Sequence, residues 1–346
     1  MNLKKLTAIV AVLGILVAAV VGFYIYNKAF TPNTTFTQNE IFVYIPSNST
    51  FEEAKQELSP FIKDMDKFEF VATKRKYANN VKAGKFLLKK DMTSFDMVRA
   101  LRSNIPVKVS FNNQESLAKF AQRIANQLEP DSLQLMQVFT SQEFLEKNNC
   151  NKENALSLFI PNSYEFYWNT SAEKIADKFT KEYQNFWNVK RLEKAQKLNL
   201  TPQQVSVLAS IVQKETAKND EKARVAGVYL NRLATGMPLQ ADPTVIYAIK
   251  KMSDDFDQVI KRVLHTDLVI DSPYNTYKYA GLPPGPITMP DISSIDAVLN
   301  AEKHDYIYFC AAPEKPGYHA FAANYEQHMV NARKYAAWVN KLGINR

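Results

Sequence analysis

Glu215 is the side chain whose type and position point most directly to chemistry. Thr201, Pro202 and Gln204 form the pattern of a helix start, with a threonine cap, a proline in the first turn and a capping-box glutamine. The sequence therefore predicts a helix from there to about Asn219. At 100° per residue, Glu215 lies among the apolar positions of this helix. Those positions are Val205, Leu208, Ala209, Ile211 and Val212.

An acid on an apolar stripe has two interpretations. Burial disfavours the charged form, which would raise the pKa of Glu215 from about 4.3 toward the ~6 to 7 that suits a general acid near neutral pH. Lys218 lies one turn further along, however, and a Glu–Lys pair at this spacing is also an ordinary ion pair at the edge of a stripe. The pattern alone leaves both interpretations open.

The next helix, predicted over Glu221–Leu233, is apolar nearly all round and is therefore expected to be buried. Arg224, Asn231 and Arg232 lie on it, and buried polar groups need partners, either structural acids or a ligand. A third helix is predicted to begin with Asp242 as its N-cap before a proline.

The loop Ser272–Ile287 contains prolines, glycines, tyrosines and an asparagine, a composition that excludes regular structure. Rigid loops of this kind often form the wall of a site. We expect it to border the groove beside Glu215.

Five segments in this order resemble the endolytic murein transglycosylases, the MltG or YceG-like family. In that family the glutamate of the KET element is the catalytic acid, which implies this role for Glu215. Relatives often carry a second acid two residues earlier, where this chain has Gln213. The segments are IVQKET (Ile211–Thr216), VYLNRL (Val228–Leu233), GMPLQADPTVIYA (Gly236–Ala248), YNTY with GLPPGPI (Tyr274–Tyr277 and Gly281–Ile287) and GYHAFAANYEQH (Gly317–His328).

The resemblance implies a lytic transglycosylase, which cuts the MurNAc–GlcNAc β-1,4 bond without water and leaves a 1,6-anhydroMurNAc end. One carboxyl is enough for this reaction, because the same group can act first as acid and then as base. A hydrolytic muramidase on the same scaffold would need two carboxylates, and the second candidate in the motif region is Asp242. A membrane-anchored scaffold that binds peptidoglycan without cutting it is the third alternative.

Groups suited to sugar binding surround the predicted acid. Amides, hydroxyls and aromatic faces can contact N-acetyl groups and sugar rings, although each could equally be a satisfied core residue. By resemblance, the last three candidates belong to the family signature; their spacing is not an established zinc pattern, so neither a metal nor another cofactor is expected. The substrate-binding candidates are Asn231, Arg232, Gln240, Asp242, Tyr247, Asn275, Thr276, Tyr277, His319, Glu326 and His328.

The N-terminus carries an uncharged apolar segment, Leu6–Tyr26, close to the ~20 residues that cross a bilayer. Lys4 and Lys5 precede it, which predicts a single-pass anchor in the cytoplasmic (inner) membrane with a cytoplasmic N-terminus. A cleavable signal peptide is the alternative, but its apolar region is usually shorter.

The whole chain is predicted to be α+β, with an N-terminal transmembrane helix, a small LysM-like α/β module and a mixed α/β YceG-like catalytic domain. The expected boundaries are a cytoplasmic tail at 1–5, the anchor at 6–26, a polar linker at 27–40, the LysM-like module at 41–104 and the catalytic domain at 105–346. Helix starts are predicted at or beside Thr50, Thr93, Ser116, Asp131 and Ser141.

The net charge of +8 is spread along the chain rather than gathered in a stripe, which argues against a nucleic-acid partner. The expected partners are peptidoglycan strands and, by resemblance, peptidoglycan synthases (penicillin-binding proteins). The two cysteines, Cys150 and Cys310, could pair in an oxidising compartment, or Cys310 could be a small core residue.

Overall fold

Side-chain caps set the starts of many helices, as the sequence predicts. In each case the cap oxygen accepts a hydrogen bond from the backbone N–H three residues later, which satisfies a donor that has no partner within the helix. This computed structural model describes residues 3–341. The confirmed caps in it are Thr50, Thr93, Ser116, Asp131, Ser141 and Thr201.

The chain forms two compact units. The first contains the chain up to Val109 with Gln127–Pro130 and Glu165–Ser171, and the second contains the remainder. The predicted α+β class is confirmed.

The first unit is built on an antiparallel strand pair with helices on it. Its register runs from Glu40 opposite Lys89 to Ile45 opposite Gly84. Val43 and Ile45 are buried while Phe42 and Tyr44 are exposed, the alternation expected of a strand with one face on a core. The elements in chain order are α1 (Leu3–Phe30), β1 (Glu40–Ile45), α2 (Phe51–Leu58), α3 (Met65–Lys74), β2 (Gly84–Lys89), α4 (Ser94–Ala100) and β3 (Pro106–Ser110).

Helix α1 is long and apolar enough to cross a membrane, although a secretion signal would share these features. Its last turns belong to the first unit. Tyr24 packs on Phe70 of α3 at 5.8 Å between ring centroids, Phe30 packs on Phe95 of α4 at 5.3 Å, and Ala29 is buried. The apolar helix is therefore continuous with a folded core.

The segment predicted as a polar linker is fixed in place beside this core. Asn33 is buried, and its amide donates to the backbone oxygen of Asp64 and to the hydroxyl of Ser94. In return its side-chain oxygen accepts from the backbone N–H of Asp64. The polar character of the segment thus reflects internal hydrogen bonds as well as solvent exposure.

The second unit is mainly helical. In it β5 (Tyr308–Ala311) pairs antiparallel with β6 (His319–Ala322), with Tyr308 opposite Ala322 and Ala311 opposite His319. Strand β4 (Ser163–Tyr167) pairs with β3, and most of both strands belongs to the first unit. Short 3-10 turns lie at Ser59–Phe61 in the first unit and Ala155–Leu158 in the second. The remaining elements are α5 (Leu117–Ala125), α6 (Ser132–Phe139), α7 (Gln142–Lys147), β4 (Ser163–Tyr167), α8 (Ala172–Phe186), α9 (Val189–Lys197), α10 (Pro202–Glu215), α11 (Asn219–Ala234), α12 (Asp242–Ser253), α13 (Ile292–Leu299), β5 (Tyr308–Ala311), β6 (His319–Ala322) and α14 (Tyr325–Lys341).

Helix α10 lies at the centre of this unit. It packs against α9, α11, α12 and α13, and every residue from Val205 to Val212 is buried. The buried surface of α10 is therefore wider than the predicted apolar stripe, because Ser206 and Ser210 are buried as well. Ser210 shows how a polar residue is accommodated: its hydroxyl donates to Val207 O and accepts from the backbone N–H of Ile287.

Candidate active site

Glu215 is the last residue of α10, four positions before the end that the sequence predicts at Asn219. The helix stops because Thr216 is extended, with φ −140° and ψ 135°. This position matters electrostatically, since the C-terminal end of a helix carries partial negative charge and disfavours a carboxylate.

The surroundings of Glu215 keep its carboxyl partly protonated near neutral pH. Its pKa is raised to about 7, chiefly by burial and less by the negative charge of Asp242, against the lowering effects of a hydrogen bond from Tyr229 and the charge of Arg232. The Tyr229 hydroxyl donates to Oε1 at 2.8 Å, while Oε2 makes no hydrogen bond to any described residue. Within residues 3–341 Glu215 forms no ion pair, which removes the Lys218 interpretation.

Asp242 and Tyr277 form a second carboxyl–phenol pair near Glu215. The Tyr277 hydroxyl donates to Asp242 Oδ1 at 2.6 Å, and burial together with this bond raises the pKa of Tyr277. The prediction that Asp242 caps its helix is wrong. Ala241 holds the N-cap position without a side-chain bond, and the Asp242 carboxylate turns instead to Tyr277.

Arg232 is buried and supplies positive charge to the same place. Its guanidinium donates to the backbone oxygens of Ile307 (2.7 Å) and Leu239 (2.6 Å), which fixes its position. It lies close enough to Glu215 to lower that carboxyl's pKa. Arg232, Asp242 and Tyr277 are thus the predicted site residues that lie within electrostatic reach of Glu215.

Several other predicted site residues are occupied in holding the backbone. Asn231 donates to the carbonyls of His304 and Tyr306, at 2.7 and 2.9 Å. Asn275 is fully buried, and its amide donates at 2.9 Å to both Leu268 O and Ile270 O. These bonds give both side-chain amides partners within the chain, so neither needs a ligand to satisfy it.

The turn before α12 is fixed by Thr276. Its backbone oxygen accepts from Gln240 N, and its hydroxyl accepts from Ala241 N at 3.0 Å and bonds the Thr244 hydroxyl at 2.8 Å. Gln240 has a φ of 49°, the left-handed region that a non-glycine residue adopts only under constraint, and its side chain is exposed. The backbone of Gln240 is therefore fixed, while its side chain is exposed to solvent.

A cavity of about 370 Å³ lies beside α12. The loop Ser272–Ile287 contributes Ile287 to its wall. Lys214 and Pro243, the sequence neighbours of Glu215 and Asp242, also line it, as does Tyr247. The Tyr247 ring packs on Tyr274 at 4.7 Å between centroids. Neither Glu215 nor Asp242 lines this cavity, so the expected groove beside the acid is represented only by the sequence neighbours of these two residues.

The three candidates from the last motif occupy different environments. His319 is mostly buried and its Nδ1 bonds Glu221, whereas Glu326 is exposed in the first turn of α14. His328 stacks on Tyr308 at 5.1 Å between centroids, and burial lowers its pKa. Among the described residues, no cluster of histidine, cysteine, aspartate or glutamate could hold a metal ion, and both cysteines are free thiols.

Sequence reasoning missed two members of this region. In the sequence, Tyr229 has the pattern of an apolar helix position, and Glu221 is the first residue of the predicted second helix. The one local signal for Glu221 is its position five residues after Thr216, whose hydroxyl donates to it across the helix junction. The bond from Tyr229 to Glu215 depends on how α10 packs against α11 and leaves no local signal.

The chain is similar to known proteins in both sequence and structure. The YceG-like family model matches residues 43–334. A Bacillus subtilis (strain 168) protein named endolytic murein transglycosylase is 28% identical over 92% of this chain and 92% of its own length. A Streptococcus pneumoniae serotype 2 protein of the same name is 26% identical over 91% of this chain, which spans 62% of that relative. A crystal structure of a yceG-like protein from Listeria monocytogenes aligns with 85% of this chain and 99% of its own, at 28% identity and a TM-score of 0.57.

Proposed function

The chain belongs to the YceG-like family, and we propose that it is an endolytic lytic transglycosylase in which Glu215 is the single acid and base. The names of its relatives support an enzyme that acts on peptidoglycan. The observation that carries the specific chemistry is the state of Glu215, a partly buried carboxyl with a pKa of about 7, in which one oxygen is hydrogen-bonded and the other has no hydrogen bond to any residue from 3 to 341.

The proposed reaction needs no second carboxyl. Protonated Glu215 donates its proton to the glycosidic oxygen between MurNAc and GlcNAc, and the bond from that oxygen to C1 of MurNAc breaks. The resulting carboxylate takes the proton from the C6 hydroxyl of the same MurNAc, whose oxygen bonds to C1 and closes the 1,6-anhydro ring. Glu215 ends protonated, as it began, and no water is consumed.

Tyr229 and Arg232 suit this exchange. The Tyr229 hydroxyl holds Oε1 still, so the unbonded Oε2 is the oxygen that can face the substrate. When Glu215 becomes negative during the reaction, the tyrosine hydrogen bond and the nearby guanidinium both stabilise the charge. Neither is an acid strong enough to replace Glu215.

The hydrolytic alternative has one observation in its favour. Asp242 lies near enough to Glu215 to raise its pKa, and two interacting carboxyls are what a muramidase would use. The bond from Tyr277 occupies Oδ1 of Asp242 and leaves Oδ2 without a hydrogen bond to a described residue, so the products of the reaction, rather than this contact, separate the two mechanisms.

In this proposal α1 is a retained single-pass anchor in the cytoplasmic membrane, and it keeps the enzyme close to the glycan. The packing of its last turn on α3 and α4 supports retention, since signal cleavage there would cut a helix that belongs to a core. An anchored enzyme reaches glycan near the membrane, where nascent strands are made. Peptidoglycan synthases would then be its working partners, and its cuts would end strand elongation.

Residues 41–104 would serve as the LysM-like module and 105–346 as the catalytic domain. The order of β1, α2, α3 and β2, with the two strands antiparallel, supports the first assignment. A glycan-binding role for this module follows only by analogy of fold.

Digestion of purified peptidoglycan tests the proposal, with products identified by mass. We expect anhydro-ended fragments from the wild type and a loss of about 10²- to 10⁴-fold in rate for Glu215→Gln. Glu193→Gln, an exposed glutamate on α9, is the matched control and should retain wild-type activity. Reducing-end fragments would select the muramidase, while binding to sacculi without release of fragments would select the non-catalytic scaffold.

A further inference from the structure

Glu221 is a buried carboxylate, 2% exposed, on which three hydrogen-bond donors converge. Its Oε1 accepts from the backbone N–H of His319 at 2.8 Å. Its Oε2 accepts from the Thr216 hydroxyl at 3.1 Å and contacts His319 Nδ1 at 2.8 Å. Both oxygens of Glu221 therefore already accept hydrogen bonds from within the chain.

The direction of each bond can be assigned. The backbone N–H of Lys218 donates to the Thr216 oxygen at 3.1 Å, so the Thr216 hydrogen is free to point at Glu221. An ionised carboxylate only accepts, and Nδ1 of His319 must therefore carry a hydrogen. In the neutral imidazole this leaves Nε2 with a lone pair, ready to accept a hydrogen bond.

Two routes connect this arrangement to the proposed acid. Thr216 directly follows Glu215, so Glu221 holds the chain at the point where α10 ends. Separately, the His319 ring packs on Phe309 at 5.0 Å between centroids, and Phe309 packs on Tyr229 at 5.9 Å. Tyr229 in turn donates to Glu215.

His319 retains an open side. Its side chain is 16% exposed, and Nε2 makes no hydrogen bond with the described part of the chain. A buried glutamate that fixes one ring nitrogen while the other meets solvent is the arrangement that orients a histidine toward a ligand.

We propose that Glu221 is a positioning residue that fixes His319 so that Nε2 accepts a hydrogen bond from a hydroxyl or amide N–H of the glycan bound at Glu215. This inference rests on the proposed function and deepens it. His319 contacts substrate in this scheme, whereas Glu221 and Thr216 act through it. A purely structural pair would also join α11 to β6, but it would have no use for Nε2.

Two substitutions of His319 separate these roles. His319→Asn places an amide nitrogen near Nδ1, which keeps the donor to Glu221 and deletes Nε2. His319→Gln places a polar group near Nε2 instead. We expect His319→Asn to lower kcat/KM on peptidoglycan at least about 10-fold with a melting temperature close to that of the wild type. We expect His319→Gln to recover part of that loss.

His265→Asn is the matched control, because His265 is exposed and makes no hydrogen bond to a described residue. Its kcat/KM should equal that of the wild type. Activity of His319→Asn within twofold of the wild type would overturn the inference and leave the pair a structural one.

Glu221→Gln tests the positioning role independently. The glutamine amide can donate to Nδ1, which would move the imidazole hydrogen to Nε2 and remove the acceptor. We expect a loss of at least about 10-fold in kcat/KM, and no further loss when His319→Asn is added, because the two residues act as a unit. Additive losses would contradict a shared function.

The outcomes also distinguish this inference from the proposed function. A wild-type protein that releases no anhydro-ended fragments removes the proposed function. A wild-type protein that releases them, with His319→Asn equally active, removes only the role of His319 and Glu221.

Discussion

Tyr229 donates a 2.8 Å hydrogen bond to Oε1 of Glu215 from a side chain that is itself 1% exposed. The bond stabilises the carboxylate, while burial of the same carboxyl stabilises the acid. These opposed effects bring the pKa to about 7, where both protonation states are accessible at neutral pH. The contact between Tyr229 and Glu215 therefore helps to set the protonation of the proposed catalyst near neutral pH.

The activity of the wild type should fall as the pH rises above about 7. The reaction begins with protonated Glu215, and that form is lost as pH passes its pKa. The measurement is kcat/KM for anhydro-product release between pH 5 and 9, at constant ionic strength. A profile that stays level to pH 9 would contradict Glu215 as the initiating acid.

Tyr229→Phe should move this alkaline limb to higher pH. The substitution removes the bond that lowers the pKa of Glu215, and a hydrogen bond to a charged group is worth roughly one pKa unit. Tyr183→Phe is the control, since the Tyr183 hydroxyl is buried and has no hydrogen-bond partner in the described part of the chain. A shift shared by both variants would show a general effect of losing a buried hydroxyl.

Asp242→Asn should move the limb the opposite way, to lower pH. The negative charge of Asp242 raises the pKa of Glu215, so its removal makes the acid easier to ionise. Lytic activity below the shifted pKa should persist in this variant. Complete loss of activity across the pH range would favour the two-carboxylate hydrolase.

Glu215→Gln should be more stable than the wild type at pH 8 and equal to it near pH 4.5. The carboxyl pKa is about 7 in the folded protein against 4.5 in the unfolded chain. The native state thus binds more protons between these values, and stability falls as pH rises through that window. The gain from glutamine at pH 8 should be on the order of 2 kcal/mol, allowing for partial solvent access. Urea unfolding at both pH values measures it, and a gain that is the same at pH 4.5 would contradict the linkage.

Gly285→Ala should destabilise the second unit. A Cβ at this position would lie 1.9 Å from the backbone oxygen of Glu153, which a side-chain rotation cannot relieve. Forced overpacking of this kind costs roughly 1 to 3 kcal/mol. Thermal unfolding measures the change, and a melting temperature equal to that of the wild type would show that the Glu153 segment moves freely.

The features that the sequence predicts well are local ones. Thr201 as a cap and Gln204 as its capping-box partner lie within one turn, so their bonds follow from spacing alone. The apolar helix α1 is marked by its composition in the same way. The predicted cap Asp242 is an exception among these local features. Its carboxylate accepts a hydrogen bond from Tyr277, which is 35 residues away in the sequence, instead of capping α12.

The features that the sequence does not predict depend on tertiary contacts. His319 in β6, the partner of Glu221, is 98 residues away in the sequence. The spacing of apolar residues along the chain does not predict a contact over that separation. Helix α10 ends early because Thr216 leaves the helix and bonds Glu221, so this error has the same origin. The amide of Asn275 likewise looks available in the sequence, and only packing reveals that it is buried and saturated.

The packing of α1 on α3 and α4 decides how a soluble version of the protein should be cut. Removal of everything before Thr31 would take Ala29 and Phe30 out of a core and leave Phe70 and Phe95 without their aromatic partners. A truncation that starts two turns earlier, at Tyr24, keeps Tyr24, Ala29 and Phe30 while discarding most of the apolar helix. If α1 is the membrane anchor that we propose, the boundary between bilayer and water therefore falls inside a single helix.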